Sequence, residues 1–258
     1  MIHHNLADNP IRKVRMDPRM IESVENALDA WRTFSQLKLN SLADFNMSEF
    51  GSPWLDPGFF NKDRSSMPRI IYHYNLANEL FLLAGSKYHL LKQFPEAKAF
   101  FSRARSLCKR VADIFTSLHD ELGFRRYELE EYSKFTSLRF VRYNDDLSDV
   151  TSRPHFDVGL LSAVLFTRNM TTERWDGKNW EKLKKSPNEI LTFTGFQIFE
   201  ASGGKINPLV HRECLGNHER GGILISAFIP HPEYVRFVKK RGHTQEKWAI
   251  DNGLNIFP

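Results

Sequence analysis

Apolar positions along the chain change period near residue 135. Upstream they recur every three to four residues, the repeat of an amphipathic helix. Asp17-Pro18 reads as an N-cap with proline at the first helical position. Ile21, Val24, Leu28, Trp31 and Phe34 then share one face of a helix ending near Leu37. A run of turn formers follows, GSPWLDPGFFNKDRSSMP. The pattern predicts a second helix from about Tyr72 to Lys92. Pro95 opens a third and longest one, with Ala97, Phe101, Ala104, Leu107, Val111, Phe115, Leu118 and Leu122 on one stripe and Gly123 as its stop. Such stripes are core, because an apolar face supplies most of a helix's stability in a folded domain. Downstream, LRFVRY, GLLSAVLF, EILTFTGFQIFE and GGILISAFIP are short, β-branched or aromatic, and separated by turn residues, as strands are. The expectation is an α+β chain forming one domain over residues 1–258, its mainly helical part (1–134) packed on an all-β part (135–258).

Composition narrows the class. With 41% hydrophobic and 13% aromatic residues, 21 of them Phe, the chain can bury a sizeable core and is not a disordered sequence. Cys108 and Cys214 form no CxxC metal signature and no disulfide framework, and this usage points to a reducing, cytoplasmic setting. No apolar run is long enough to span a bilayer, and the N-terminus lacks the apolar segment of a secretory signal. The net charge of +5 permits an acidic partner without demanding one. The basic clusters KLKK and RFVKKRGH carry no nucleic-acid motif and read as solvated surface. Neither a Gly-rich phosphate loop nor a GxSxG elbow is present.

Candidate chemistry sits in RPHFDVGLLS. His155 and Asp157 are two apart, so on extended backbone they point the same way, and Gly159 follows. A pair alone is ambiguous between a metal site and chance. A non-haem Fe(II) centre needs two His and one carboxylate with open positions beside them. His211 in NPLVHRE, 54 residues beyond Asp157, can supply the third donor. Other polar residues read more plainly. His3 and His4 sit at a polar terminus, and His218 and His231 fall in loops. Arg139 and Arg142 are assigned to surface or ion-pair roles, although one can enter a barrel. His73 is a candidate substrate contact, and Cys214 reads as a packed thiol.

The ordered series LRFVRYN, HFDVGLLS, RWDGKNWEKL, EILTFTGFQIFEASGGKINPLVHRE and ERGGILISAFIP resembles the isopenicillin-N-synthase-like group of Fe(II)- and 2-oxoglutarate-dependent oxygenases over residues 138–230. The resemblance implies a double-stranded β-helix, or jelly roll, wrapped by N-terminal helices. It implies His155, Asp157 and His211 as iron ligands, Tyr143 and Arg220 as partners of the far carboxylate of 2-oxoglutarate, and molecular oxygen and a small organic molecule as substrates. Asn144 stands where the family has Pro, and Ser162 where it has Thr. The family's Arg-x-Ser reads Arg220-Gly221-Gly222. Aligning the strand instead by Ala227-Phe228 puts Ile223 and Ile225 at the Arg and Ser positions, unless a bulge at Gly221-Gly222 restores Arg220. The alternatives are an oxidase that needs no 2-oxoglutarate, as isopenicillin N synthase is, and a binding protein that keeps the fold without the chemistry. A basic nucleic-acid or surface-binding module is a third and different class.

Overall fold

The computed structural model describes residues 10–37, 45, 58–61, 69–76, 88–122, 136–143, 152, 154–157, 159–215 and 222–229. Chain order is β1 (Ile11–Arg15), α1 (Pro18–Phe34), β2 (Gly58–Asn61), β3 (Arg69–Asn75), α2 (Tyr88–Gln93), α3 (Pro95–Leu122), β4 (Ser137–Tyr143), β5 (Leu161–Arg168), β6 (Met170–Trp175), β7 (Trp180–Lys182), β8 (Glu189–Thr194), α4 (Phe196–Ala201), β9 (His211–Leu215) and β10 (Ile223–Ile229). A seven-stranded sheet runs β1-β8-β5-β10-β4-β3-β2 and a three-stranded sheet runs β7-β6-β9, with every pairing antiparallel. From β4 on, the chain alternates between them: β5 lies in the large sheet, β6 and β7 in the small one, β8 in the large, β9 in the small, β10 in the large. That alternation is the expected jelly roll.

The first helix follows the sequence reading. Asp17 Oδ1 accepts from the Met20 backbone N–H at 2.7 Å, and Pro18 opens the helix. Met20, Val24, Ala27, Leu28, Trp31 and Phe34 are buried. Trp31 packs against Phe100 of α3 and Phe140 of β4 at ring-centroid distances of 5.7 Å, and Phe34 stacks on Phe100 at 4.7 Å. These rings join both long helices to one face of the large sheet, whose Leu138, Phe140, Ala163, Ile223, Ile225, Ala227 and Ile229 belong to the same core. Arg142 points to this side and donates to the carbonyl and hydroxyl of Ser35, at 3.3 Å each, just past the C-terminus of α1. A cation there complements the helix dipole.

A second apolar cluster lies between the sheets. It holds Ile71, Val141, Tyr143, Val164, Met170, Leu191, Phe193, Leu209, Leu215 and Leu224. Alternation along each strand assigns the faces. On β10, Leu224, Ser226 and Phe228 face the barrel interior, while Ile223 and Ile225 face the helices. The register that would put Ile223 and Ile225 inside the barrel is therefore corrected, and Leu224-x-Ser226 takes the inward positions. The shift between Ile225 and Ser226 in the β5 pairing is absorbed at Leu165 of β5.

The N-terminal part carries strands that the sequence reading does not place. Residues 72–75 are not helical: they belong to β3, which pairs with β4, while Leu76 and Tyr88–Gln93 are helical and residues 77–87 lie outside the described residues. The turn-rich segment contains β2, and Ile11–Arg15 forms an edge strand on β8. The part before residue 135 therefore gives three strands to the large sheet. The long run EILTFTGFQIFE is also not one strand, since it turns into α4 after Gly195. Gly123, the expected helix stop, lies outside the described residues.

Truncating Trp31 leaves a cavity at the junction of helices and sheet. Trp31→Ala is expected to lower stability by about 3–5 kcal/mol. Asp17→Ala is expected to cost about 1 kcal/mol, the worth of one cap. Urea unfolding followed by far-UV circular dichroism measures both.

Candidate metal centre

One backbone pairing builds the site. The N–H of His155 donates to the His211 carbonyl at 2.9 Å, and the N–H of His211 returns the bond at 2.8 Å. Upstream, Ser152 N–H donates to the Glu213 carbonyl and Glu213 N–H to Ser152 Oγ, both at 2.7 Å. Ser152 and His155 are thus laid along β9, and two distant histidines become cross-strand neighbours, their rings 4.4 Å apart. Asp157 lies two residues on, with its Oδ2 3.7 Å from His211 Nε2. One donor atom from each of His155, Asp157 and His211 lies within 4.8 Å of the others, and among the described residues this is the group able to hold a metal ion.

The donor set fits a divalent metal. His211 Nδ1–H donates to the Leu209 carbonyl at 3.2 Å, which fixes the ring and leaves the Nε2 lone pair facing Asp157. An ion about 2.1 Å from each donor wants them roughly 3 Å apart, a small side-chain adjustment from this arrangement. Asp157 and His211 are buried, and His155 is partly exposed. Burial pushes the Asp157 carboxyl up, but the charges of His211, His155 and Arg139 outweigh it and hold the group below the usual carboxylate range. The carboxylate is therefore ready to ligate.

Asp157 is held from the other side by the β8–α4 corner. Phe196 N–H donates to the Asp157 carbonyl at 2.8 Å, Gly195 N–H to Leu160 at 3.0 Å, and Gln197 N–H to Gly159 at 3.2 Å. The two backbones touch at Gly195: a Cβ there would collide with the Gly159 carbonyl oxygen and meet the Asp157 carbonyl at 3.0 Å. Phe156 stacks on Phe196, with centroids 5.4 Å apart, and Phe193 packs on His211 at 4.7 Å. Phe193 thus walls His211 with an apolar ring, while the Phe156–Phe196 stack ties the ligand segment to α4.

The remaining sequence-derived residues separate clearly. Tyr143 is buried on the interior face of β4. Arg220, Asn144, His218 and His231 lie outside the described residues. Arg139 shares the interior face with Tyr143, which corrects its surface assignment. Its guanidinium lies 4.6 Å over the Phe228 ring. His73 is cross-strand from Arg139. Cys214 points away from the barrel, and burial with the neighbouring Glu173 pushes its thiol up to about 11, against any nucleophilic role. Arg212 pairs with Glu173 through two bonds of 2.8 and 2.7 Å and covers Trp180 on the outer side of the small sheet.

Sequence reading missed Glu213. It is two residues past His211 on the same face, 7% exposed, with both carboxyl oxygens 3.0 Å from Thr172 Oγ1. Burial and the charge of Asp157 push it up to about 8, against the pull of Thr172 and Arg139. The signal was available: His211-x-Glu213 has the same spacing as His155-x-Asp157.

No protein-family model and no curated protein matches the chain. Solved structures do. The chain resembles the dioxygenase for auxin oxidation 1 from Arabidopsis thaliana, solved with 2-oxoglutarate, at a TM-score of 0.67 and 12% identity, covering 90% of this chain and 86% of that one. The rice dioxygenase for auxin oxidation matches at 0.61 and 16% identity, over 90% and 77% of the two chains. A C-terminally truncated Neurospora crassa protein in its apo form matches at 0.62 and 13% identity, over 89% and 86%. At these identities the likeness is one of fold, and the jelly roll wrapped by helices is shared.

The Gly195 contact yields a test. Gly195→Ala is expected to destabilise the fold by about 1–3 kcal/mol, the usual range for forcing a methyl into a filled site. Alanine at Gly177, which has a φ of 101° and nothing within 4 Å of the added Cβ, should cost less than Gly195→Ala. Denaturant midpoints of the two variants decide.

Proposed function

We propose that the chain is a non-haem Fe(II)- and 2-oxoglutarate-dependent oxygenase that oxidises a small organic molecule by hydroxylation, desaturation or cyclisation. The observation that carries this is the convergence of His155, Asp157 and His211 at one end of the barrel. Two imidazoles and one carboxylate on one side of an ion leave its remaining positions open. When bound, Fe(II) supplies the redox chemistry that couples molecular oxygen to oxidation of an organic ligand. The chain's own residues hold, orient and exclude. Leu209 sets the tautomer of His211, Asp157 brings a compact negative charge, and Phe193 packs on the His211 ring and keeps water from it. Tyr143, buried on the interior face, is proposed to donate to the far carboxylate of 2-oxoglutarate, with Arg220 as its cationic partner.

Neighbours of the same fold support the cosubstrate. The Arabidopsis structure is a 2-oxoglutarate complex, and the full-length form of the Neurospora crassa protein was solved with alpha-KG and thymine. One observation favours a second reading, an Fe(II) oxidase that needs no 2-oxoglutarate: the inward position two before Ser226 is Leu224, not arginine. We further propose that residues 1–258 act as a single domain, since one core joins helices and sheet. No described helix is long and apolar enough to cross a membrane. A cytoplasmic setting is proposed on the two free cysteines.

The wild-type chain is expected to bind one Fe(II) per molecule under anaerobic conditions, and His155→Ala and Asp157→Ala are expected to lose it. Full occupancy in either variant, by metal analysis, defeats the assignment. Titrating 2-oxoglutarate into the anaerobic Fe(II) protein is expected to raise a visible charge-transfer band. Arg220→Ala should weaken that binding by about 2–5 kcal/mol. Tyr143→Phe should cost about 1 kcal/mol. No band at millimolar ligand promotes the cosubstrate-independent oxidase.

A further inference from the structure

Ser162 is the second residue of β5, and its side chain enters the barrel. Leu161, Ala163 and Leu165 join the core under the helices, whereas Val164 joins the cluster between the sheets. Alternation therefore turns Ser162 inward with Val164. Its register partner on β8 is Phe193, the ring that packs on His211 at 4.7 Å. Ser162 is 1% exposed, and its Oγ has no hydrogen-bond partner. Most buried hydroxyls are satisfied, so an unsatisfied one beside a candidate metal centre calls for a reason.

Asp157 supplies one. Its Oδ2 is turned to His211 Nε2, 3.7 Å away, which leaves Oδ1 to be met from another side. The Ser162 hydroxyl is among the groups that favour the Asp157 charge, so it lies near the carboxyl, while its Oγ stops short of a formed bond. The donor atoms of His155, Asp157 and His211 lie within 4.8 Å of one another, a looser set than a bound ion wants. Drawing them onto an ion shifts the Asp157 carboxyl, and a serine hydroxyl is free to turn after it.

We propose that Ser162 is a positioning residue of the metal centre, its hydroxyl donating to the Asp157 carboxyl oxygen that is turned away from the ion. The inference rests on the metal reading of the site and deepens it. A carboxylate can hold an ion through one oxygen or through both. Holding it through both uses up a further coordination position. With the second oxygen tied to Ser162, Asp157 binds through one, and that position stays open for the molecules that react.

Mn(II), which suits imidazole and carboxylate donors, is titrated into the full chain. The electron paramagnetic resonance signal of free Mn(II) gives the affinity, and water-proton relaxation reports how many waters the bound ion keeps. Ser162→Ala is expected to weaken binding by about 10–100-fold. It is also expected to lower the relaxation enhancement per bound ion by about a third, one open position of roughly three. Ser162→Thr and Ser162→Val share one shape and differ by the hydroxyl. The Thr variant is expected to bind about tenfold or more tightly than the Val variant and to keep the wild-type relaxation. If Ser162→Ala does not fold, the Thr and Val variants carry the test. Equal affinity across wild type and the folded variants overturns the role of Ser162 and leaves the metal reading standing. A loss of affinity without the change in relaxation marks a general loosening of the site and also overturns it. Wild type that takes up no Mn(II) overturns both.

Discussion

Everything at the site depends on two backbone hydrogen bonds between His155 and His211. Neither residue belongs to the other's local structure. Ser152 and His155 take their places by backbone bonds to β9. Once the pairing exists, strand alternation turns both imidazoles to one face, and Asp157 follows by its spacing of two. The constraint is costly in chain entropy, because the loop it closes is long. The barrel offsets that cost: β5, β8 and β10 fix the ends of both segments, and the Gly195–Gly159 contact removes the last freedom of the Asp157 backbone.

The electrostatics follow from this placement. Asp157 is buried among two histidines and an arginine, so its charge is held. Glu213, one inward step away, is buried with a threonine as its closest partner and with Asp157 as a like-charged neighbour. Two carboxyls on adjacent steps of one interior thus take opposite characters, set by what surrounds each. The β8–α4 corner and the helical layer do not touch this balance directly. They keep the walls where they are.

Much of this was legible in the sequence. The Asp17-Pro18 cap, the Trp31 stripe and the long helix after Pro95 follow from spacing alone. The His-x-Asp pair was legible because its geometry is local, and His211 because few other residues could complete the set. β3 was not legible: IIYHYN runs into a further apolar stretch, and such runs suit strand and helix alike. Arg139 and Glu213 escaped because facing inward is a property of register, which neighbouring strands decide. The β10 alternatives show the same limit. Counting from His211 suggested Arg220 or Ile223, whereas the observed alternation turns Leu224 and Ser226 inward.

Strand β4 carries two vocabularies on alternate residues. Leu138, Phe140 and Arg142 speak to the helices, through Trp31, Phe100 and the end of α1. Arg139, Val141 and Tyr143 speak to the interior. Because the two sets do not touch the same neighbours, substitutions in one leave the other nearly intact. Descent with modification can therefore rewrite the interior words, and with them the molecule that is accepted, while the helical clasp stays as it was. A lineage exploring new substrates on this scaffold has a strand on which to do so without first relearning how to fold.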